Sequence, residues 1–418
     1  MTKATRVSSS QLRGFTMLVF HAGAGLVGLV ESMHHNIARA PSVLGPPLRE
    51  PMGGVSGFVY RCVRGAIGLT GTGVDAVLAR LSPLIGDAGP SPGQAAAIAA
   101  LNGVVGDHLV ATNNPLAIPM RLRHRGEDFQ TDAESLSAIV QKPSARLVVL
   151  VHGLCLSDQC WNRKGHDHGV ALERDLGYTP IYLHYNTGLH ISDNGRDFAQ
   201  LLDALVVNWP VPVEELVIIG HSMGGLVARS AYHYGSAAGH DWTRRLKTLI
   251  FLGAPHHGAP LERGGQWFNL ALGRLPYTVA FSQLGRIRSA GITDLRHGSL
   301  LESDWLGRDR FEHVGDTREP VPLPEGVVCF AIAATTGKQV GDFHDRVLGD
   351  GVVPLNSALG VHSDPKFTLL FPADHQLVSY ETNHLGLLDR QNVYQQIKLW
   401  LGPSHSVGSF ARVCLTAS

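Results

Sequence analysis

The stretch "IIGHSMGGLVARSA", residues 218–231, sets a serine between a histidine and a methionine, with glycines two positions away on either side. Read alone, Ser222 is either an attacking oxygen or a small residue in a Gly-rich turn. The flanking sequence separates the two readings. An apolar, β-branched run, "ELVIIGHS" (215–222), leads in, and "GGLVARSAYHYGSAAG" (224–239), rich in the small residues of a close-packed helix, leads out. Gly220-His221-Ser222-Met223-Gly224 thus has the G-x-S-x-G pattern of a sharp strand-to-helix turn. Such a turn exposes the serine hydroxyl, and its glycines leave room where strand and helix cross.

Working outward, the chain from about 116 onward alternates short apolar runs with helical patterns. The strand candidates are "ARLVVLVHGL" (145–154), "TPIYLHYN" (179–186), "ELVIIGHS", "LKTLIFLGAP" (246–255), "GVVCFAIAATTG" (326–337) and "KFTLLFPADH" (366–375). Helical patterns such as "NGRDFAQLLDALVVNWP" (194–210) separate several of them. This alternation predicts an α/β chain: a mostly parallel sheet covered by helices on both faces, with its ligand site beyond the carboxyl ends of the strands. No internal repeat is visible.

Two regions depart from that pattern. Between Pro255 and Gly326 the connection is far longer than usual, and its Trp267, Phe268, Leu270, Leu272, Leu275, Tyr277, Val279 and Phe281 give apolar helical faces. We read 258–325 as a cap or lid insertion, with extra core helices as the alternative. Residues 1–115 read as a helical N-terminal module, broken by "APSVLGPPLREPMGG" (40–54) and closing with "SPGQAAAIAALNGVVGDHLVAT" (91–112). Its segment 14–30 follows Lys3, Arg6 and Arg13 in the manner of a signal peptide but contains His21. We read it as a buried or membrane-surface helix; a cleaved signal and a membrane span are the alternatives. The expected domains are therefore 1–115, a catalytic domain over 116–402, and a tail over 403–418. A cytoplasmic or membrane-associated location is favoured over an exported one.

Thirty-five basic residues balance 35 acidic ones, and no Lys/Arg cluster with interleaved aromatics appears, so nucleic acid is not an expected partner. Five cysteines, Cys62, Cys155, Cys160, Cys329 and Cys414, make an odd set that reads as free thiols rather than a disulfide framework. Only Cys155 and Cys160 are close enough in sequence to suggest a pair.

A serine of ordinary pKa needs a base, and the base needs an orienting carboxylate; on a sheet of this kind they follow the serine in the order acid, then histidine. His384, in "ETNHLGLL" (381–388), stands after the last strand candidate and before a terminal helix, which His362 and His375 do not. Asp342, Asp345 and Asp350 all follow the 326–337 run, and position alone leaves the choice open. The N–H groups of Leu154, after "VLVHG", and of Met223 are the expected donors to an oxyanion.

Taken together, "VHGL", "GHSMGGLVAR", "FLGAPHHGAPLERGG", "SAGITDLRHGSL", "GDGVVPLNSALG" and "NHLGLL" occur in an order that resembles the α/β-hydrolase fold lipases and esterases, most nearly the bacterial lipase and GPI inositol-deacylase-like group. "YNTGLHISDNGRDFAQLL" (185–202) resembles the segment before the elbow in the same group. The resemblance spans about 145–402 and implies Ser222 as nucleophile, Asp350 as acid, His384 as base, and Leu154 and Met223 as oxyanion-hole positions.

Some relatives in the wider group hold a structural calcium; here Asp374 and Asp389 read as ordinary surface carboxylates, and no metal or cofactor is expected. His166-Asp167-His168 has a metal-like look without partner cysteines and reads as plain surface, while His256 and His257 read as loop residues near the site. Two functions follow. One is a serine hydrolase acting on lipid-like carboxylic esters, with a membrane-surface contact through the N-terminal helix. The other is an inactive hydrolase-fold scaffold or membrane adaptor, which predicts a missing triad member; none is missing.

Overall fold

The computed structural model describes residues 92–259, 289–309, 315–339 and 349–402. Eight strands run β1 Arg121–His124, β2 Glu127–Phe129, β3 Arg146–Val151, β4 Thr179–His184, β5 Glu215–His221, β6 Leu246–Leu252, β7 Val328–Ala334 and β8 Gln376–Ser379. They form one sheet in the order β2-β1-β4-β3-β5-β6-β7-β8. The six strands from β4 to β8 are mutually parallel, and β1 runs antiparallel to both β2 and β4.

The central strands are near-continuous apolar runs because both of their faces are covered. Leu147, Val149, Val151, Leu216 and Ile218 face one core, whereas Val148, Leu150, Val217 and Ile219 face the other. On the first face lie helices α1 Pro92–Ala111, α4 Ile191–Asn208 and α5 Met223–Ala238; on the second lie α3 His168–Leu176 and α9 Gln391–Leu401. Short helices α2 Ala133–Ile139, α6 Trp242–Arg245, α7 Ala290–Asp294 and α8 Leu355–Ala358 complete the described set. This three-layer arrangement, with the parallel order and the strand-to-helix elbow at Ser222, is the α/β-hydrolase fold read from the sequence.

Local signals account for the element ends. Asp167 caps α3 by accepting from the N–H groups of Gly169 and Val170, and Gly177 closes it in the left-handed conformation. Helix α5 starts directly from Ser222. Gly224 allows this, since a Cβ there would lie 2.3 Å from the carbonyl oxygen of Val151.

The structure departs from the sequence reading at three places in the fold. The stretch 366–375 is not the last strand: it holds turns at Pro365–Phe367 and Ala373–His375, and β8 begins one residue later. Phe367, Leu369 and Phe371 are buried at strand-like spacing, yet the Leu369 N–H donates to Gly360 rather than to the sheet. The β1–β2 hairpin was not anticipated, since Arg121, Arg123, Glu127 and Asp128 give it no apolar signal; it turns through Arg125 and Gly126, both at positive φ. The His166-Asp167-His168 cluster is not plain surface. His168 is fully buried, one ring nitrogen 2.8 Å from His166 and the other 2.9 Å from the Leu387 carbonyl.

Helix α1, the described end of the expected N-terminal module, shares its core with the sheet through Ala97, Leu101, Val104 and Leu109. Residues 1–91, the heart of the insertion at 260–288, and the tail from 403 lie outside the described residues. The described part of the insertion packs down on the domain: Ser230 Oγ donates to the Leu300 carbonyl and Arg196 pairs with Glu302. Among the described residues no helix is long and apolar enough to cross a membrane, and Cys155, Cys160 and Cys329 are free thiols.

Buried imidazoles make stability depend on pH. Burial, the largest cause in each case, pushes His152 down to about 3 and His168 down to about 4, and holds His221 and His256 well below the ordinary value. From about pH 6.5 downward the unfolded chain binds protons that the folded chain refuses. Stability is therefore full above 6.5 and falls toward pH 4, by about 1.4 kcal/mol per pH unit for each such histidine. Thermal melts between pH 7.5 and 4.5 should show a melting temperature that drops steadily; a flat profile would contradict the buried neutral assignment.

Candidate active site

From β3 the chain crosses to β4 on one side and then returns to β5 on the other, so the carboxyl ends of β3 and β5 flank a topological switch point, where such sheets hold their ligands. Leu154 follows the first of these strands and Ser222 the second. The two turns touch: a Cβ on Gly153 would lie 2.8 Å from the Ser222 Cβ. Ser222 itself has φ 54° and ψ −127°, a conformation that an L residue adopts only under constraint. Its N–H donates to the Leu252 carbonyl at the end of β6 (2.8 Å), which fixes the elbow to the neighbouring strand.

The candidate acid and the candidate base follow the next two strands. Asp350, in the loop after β7, and His384, after β8, meet at 2.6 Å between Oδ2 and Nδ1, and both are buried. The other carboxylate oxygen of Asp350 accepts from the N–H groups of Val352 (2.9 Å) and Val353 (2.8 Å). The turn carrying His384 is capped by Asn383, which accepts from Gly386, and the His384 N–H donates to the Asp350 carbonyl. A Cβ on Gly253, one residue beyond β6, would lie 3.3 Å from both Asp350 Oδ2 and His384 Cε1. The pair therefore sits over the strand end to which Ser222 is tied.

Three imidazoles crowd this end of the sheet, and their surroundings differ. His152 and His221 are held neutral by burial. Among the described residues only His384 of the three has a carboxylate within hydrogen-bond reach. His221 spans the gap: its Nε2 lies 3.2 Å from the His384 carbonyl and its ring packs 4.7 Å from that of His384. Nothing in the sequence marked this contact, because it runs through a main-chain atom. Met223 is the first residue of α5, so its N–H has no acceptor within the helix.

The remaining candidates make contacts away from the Asp350–His384 pair. His256 is buried and His257 half-buried; they accept from Arg229 (3.3 Å) and Arg318 (2.8 Å), and Arg318 also reaches the His256 carbonyl. His375 lies against Phe330, and His362 against Phe367. Asp342 and Asp345 lie outside the described residues. Asp374 is exposed, as read, but Asp389 is no surface carboxylate: its side chain is 4 % exposed and paired with Arg163 and Lys164. Among the described residues no group of three or more metal-ligating side chains comes together.

Residues 201–315 match the family described as the PGAP1-like alpha/beta domain. The match includes Ser222 and stops before Asp350 and His384. No curated protein matches the chain. Among solved structures, the chain is similar to the mature Bacillus licheniformis lipase BlEst2, at 18% identity over 62% of this chain and 94% of that one, with a TM-score of 0.37. EstA from Clostridium botulinum matches at 12% identity over 62% and 87% of the two chains, TM-score 0.36. Phospholipase PlaB from Legionella pneumophila matches at 18% over 51% and 45%, TM-score 0.33, so the chain spans under half of that protein. At these scores the likenesses carry no residue roles; over 201–315 the chain is similar to the PGAP1-like alpha/beta domain.

Proposed function

We propose that this chain is a serine hydrolase that cleaves carboxylic esters, with lipid-like esters as its substrates, through a Ser222-His384-Asp350 triad. The observation that carries this reading is the buried Asp350–His384 pair at 2.6 Å, at the end of the strand to which the Ser222 N–H is tied, together with the strained backbone geometry of that serine. A carboxylate on Nδ1 keeps the proton there and leaves Nε2 as the lone-pair acceptor, the tautomer a general base requires.

In this mechanism Ser222 Oγ attacks the ester carbonyl while His384 Nε2 takes its proton. The tetrahedral oxyanion leans on the N–H groups of Leu154 and Met223. His384 then returns the proton to the departing alcohol, leaving an acyl-enzyme, and water repeats the sequence to free the acid and the serine. Asp350 stays ionised throughout and stabilises the imidazolium. The N–H donors act from the main chain, so their placement depends on loop conformation rather than on side-chain identity.

The lipid-like substrate rests on the sequence of the insertion, which carries the apolar side chains Trp267, Phe268, Leu270 and Leu272, the residue types that suit an acyl chain. The reading is tested by labelling the full chain with a fluorophosphonate probe, with Ser222→Ala and His384→Ala as controls, and by hydrolysis of p-nitrophenyl esters from two to sixteen carbons. Labelling is expected in the wild type and absent from both variants, with turnover increasing toward longer acyl chains. A folded wild type that neither labels nor turns over any ester would favour the scaffold reading, and a preference for acetate would remove the lipid-like substrate.

A further inference from the structure

Leu154 offers its N–H from a turn whose next residue, Cys155, sits at φ 61°. A side chain in the left-handed region is held there only when its surroundings leave no easier alternative, so the question is what holds Cys155. Two contacts do. The Cys155 N–H donates to Thr187 Oγ1 at 3.1 Å, and Thr187 is 1 % exposed. On the other side stands helix α1: a Cβ on Gly103 would lie 2.2 Å from Cys155 Sγ, 2.9 Å from its Cα and 3.0 Å from its N.

Both contacts are anchored in turn. Asn186 donates to the Gly106 carbonyl (3.0 Å), and a Cβ on Gly188 would meet the Asn102 carbonyl oxygen at 2.1 Å, so the 186–188 loop and α1 are pressed together. Helix α1 departs from helical geometry at Val105, between Gly103 and Gly106, where these contacts gather. Ser289 Oγ donates to the Gly103 carbonyl (2.6 Å), and the Ala290 N–H donates to Asp107 (3.1 Å). The next residue, Gly291, fits only because it lacks a Cβ, which would lie 2.1 Å from the Thr187 carbonyl oxygen and 3.0 Å from Met223 Cε. The brace thus touches the neighbourhoods of both oxyanion donors.

We propose that Thr187 and helix α1 are the positioning elements of the oxyanion hole: they lock Cys155 in its left-handed turn and so aim the Leu154 N–H at the oxyanion. This inference rests on the ester-hydrolase reading and on Leu154 as donor. It gives the described end of the N-terminal region a part in the reaction, although none of its side chains touches the reacting atoms.

The test compares kcat, KM and melting temperature on one p-nitrophenyl ester for the full-chain wild type, Thr187→Val, Thr187→Ser, Gly103→Ala and Ser222→Ala, with binding of a phenylboronic acid as an oxyanion-forming probe. Valine keeps the volume of Thr187 and removes the acceptor. Losing a whole oxyanion donor costs about 10²–10³ in kcat, so misaiming one should cost about ten- to a hundredfold. For Thr187→Val we expect that fall in kcat, KM within about twofold, and weaker boronate binding in proportion; Thr187→Ser, which keeps the hydroxyl, should return to within about threefold of wild type. Gly103→Ala should show the same kcat-selective loss. An unchanged kcat in Thr187→Val, or a loss that serine does not rescue and that follows the melting temperature, would overturn the proposal. Ser222→Ala separates the two readings: if it leaves turnover intact, the hydrolase reading itself fails, whatever Thr187 does.

Discussion

Replacing Ser222 by alanine or by glycine is expected to lower kcat for ester hydrolysis by about 10⁶-fold, while the glycine variant melts above the alanine variant. The first effect follows from removing the proposed nucleophile of a unit whose members would act together, a loss worth about 8 kcal/mol of transition-state stabilisation. The second follows from backbone geometry. At φ 54° and ψ −127° a Cβ is sterically penalised, by about 1–3 kcal/mol, and alanine retains that penalty whereas glycine relieves it. Glycine also costs about 0.5–1 kcal/mol through the greater freedom of the unfolded chain. The net gain is about 1 kcal/mol, or about 2 °C in a domain of this size. The comparison separates function from fold, because a serine kept only as a small turn residue would have been served better by glycine. Turnover within tenfold of wild type in either variant, or an alanine variant melting at or above the glycine one, would contradict this account.

The sheet was legible where burial on both faces writes a continuous apolar run. Val148 to Val151 and Leu216 to Ile219 announce strands at any reading frame, and both stand where they were read. Signals failed where apolar spacing and hydrogen bonding part company. Phe367, Leu369 and Phe371 fill a core at strand spacing, but the chain there bonds to Gly360, and Pro372 precedes the turn that delivers β8. At the opposite edge, β1 and β2 are joined by backbone pairing and by Arg121 and Arg123 on Asp128, none of which leaves a hydrophobic pattern.

The candidate site divides in the same way. Ser222 and His384 stand out because chemistry dictates residue type at a recognisable place along the chain. Asp350 needed the resemblance, since three acids follow the same strand run; among the described residues it is the one that meets His384, at 2.6 Å. Thr187, His221 and Gly103 were invisible as site residues: each acts on a main-chain atom or through the room it leaves, and such contacts impose no spacing rule. His168 shows the converse, a metal-like pattern that burial turns into a brace between α3 and the turn after His384.

Asp350→Asn is expected to fold like the wild type and to lose about 10⁴-fold in kcat. The two oxygens of Asp350 have different duties. Oδ1 accepts from the N–H groups of Val352 and Val353, so in the variant the amide oxygen must take that place; the NH2 group would otherwise face two donors. The amide nitrogen is thereby forced to the position of Oδ2, 2.6 Å from His384 Nδ1. A donor there requires Nδ1 to be the lone-pair acceptor and drives the proton to Nε2, the tautomer that cannot take a proton from Ser222. The loss expected for such a tautomer reversal is about 10⁴-fold. Because the loop keeps both of its N–H bonds, the melting temperature should stay within a few degrees of wild type. Asp350→Ala should lose comparable activity and also melt lower, since two buried N–H groups are left without an acceptor, at about 1–3 kcal/mol for each. An asparagine variant as active as wild type would move the acid elsewhere, whereas one that fails to fold would show that the carboxylate charge, and not its acceptor geometry, holds the 350–353 turn.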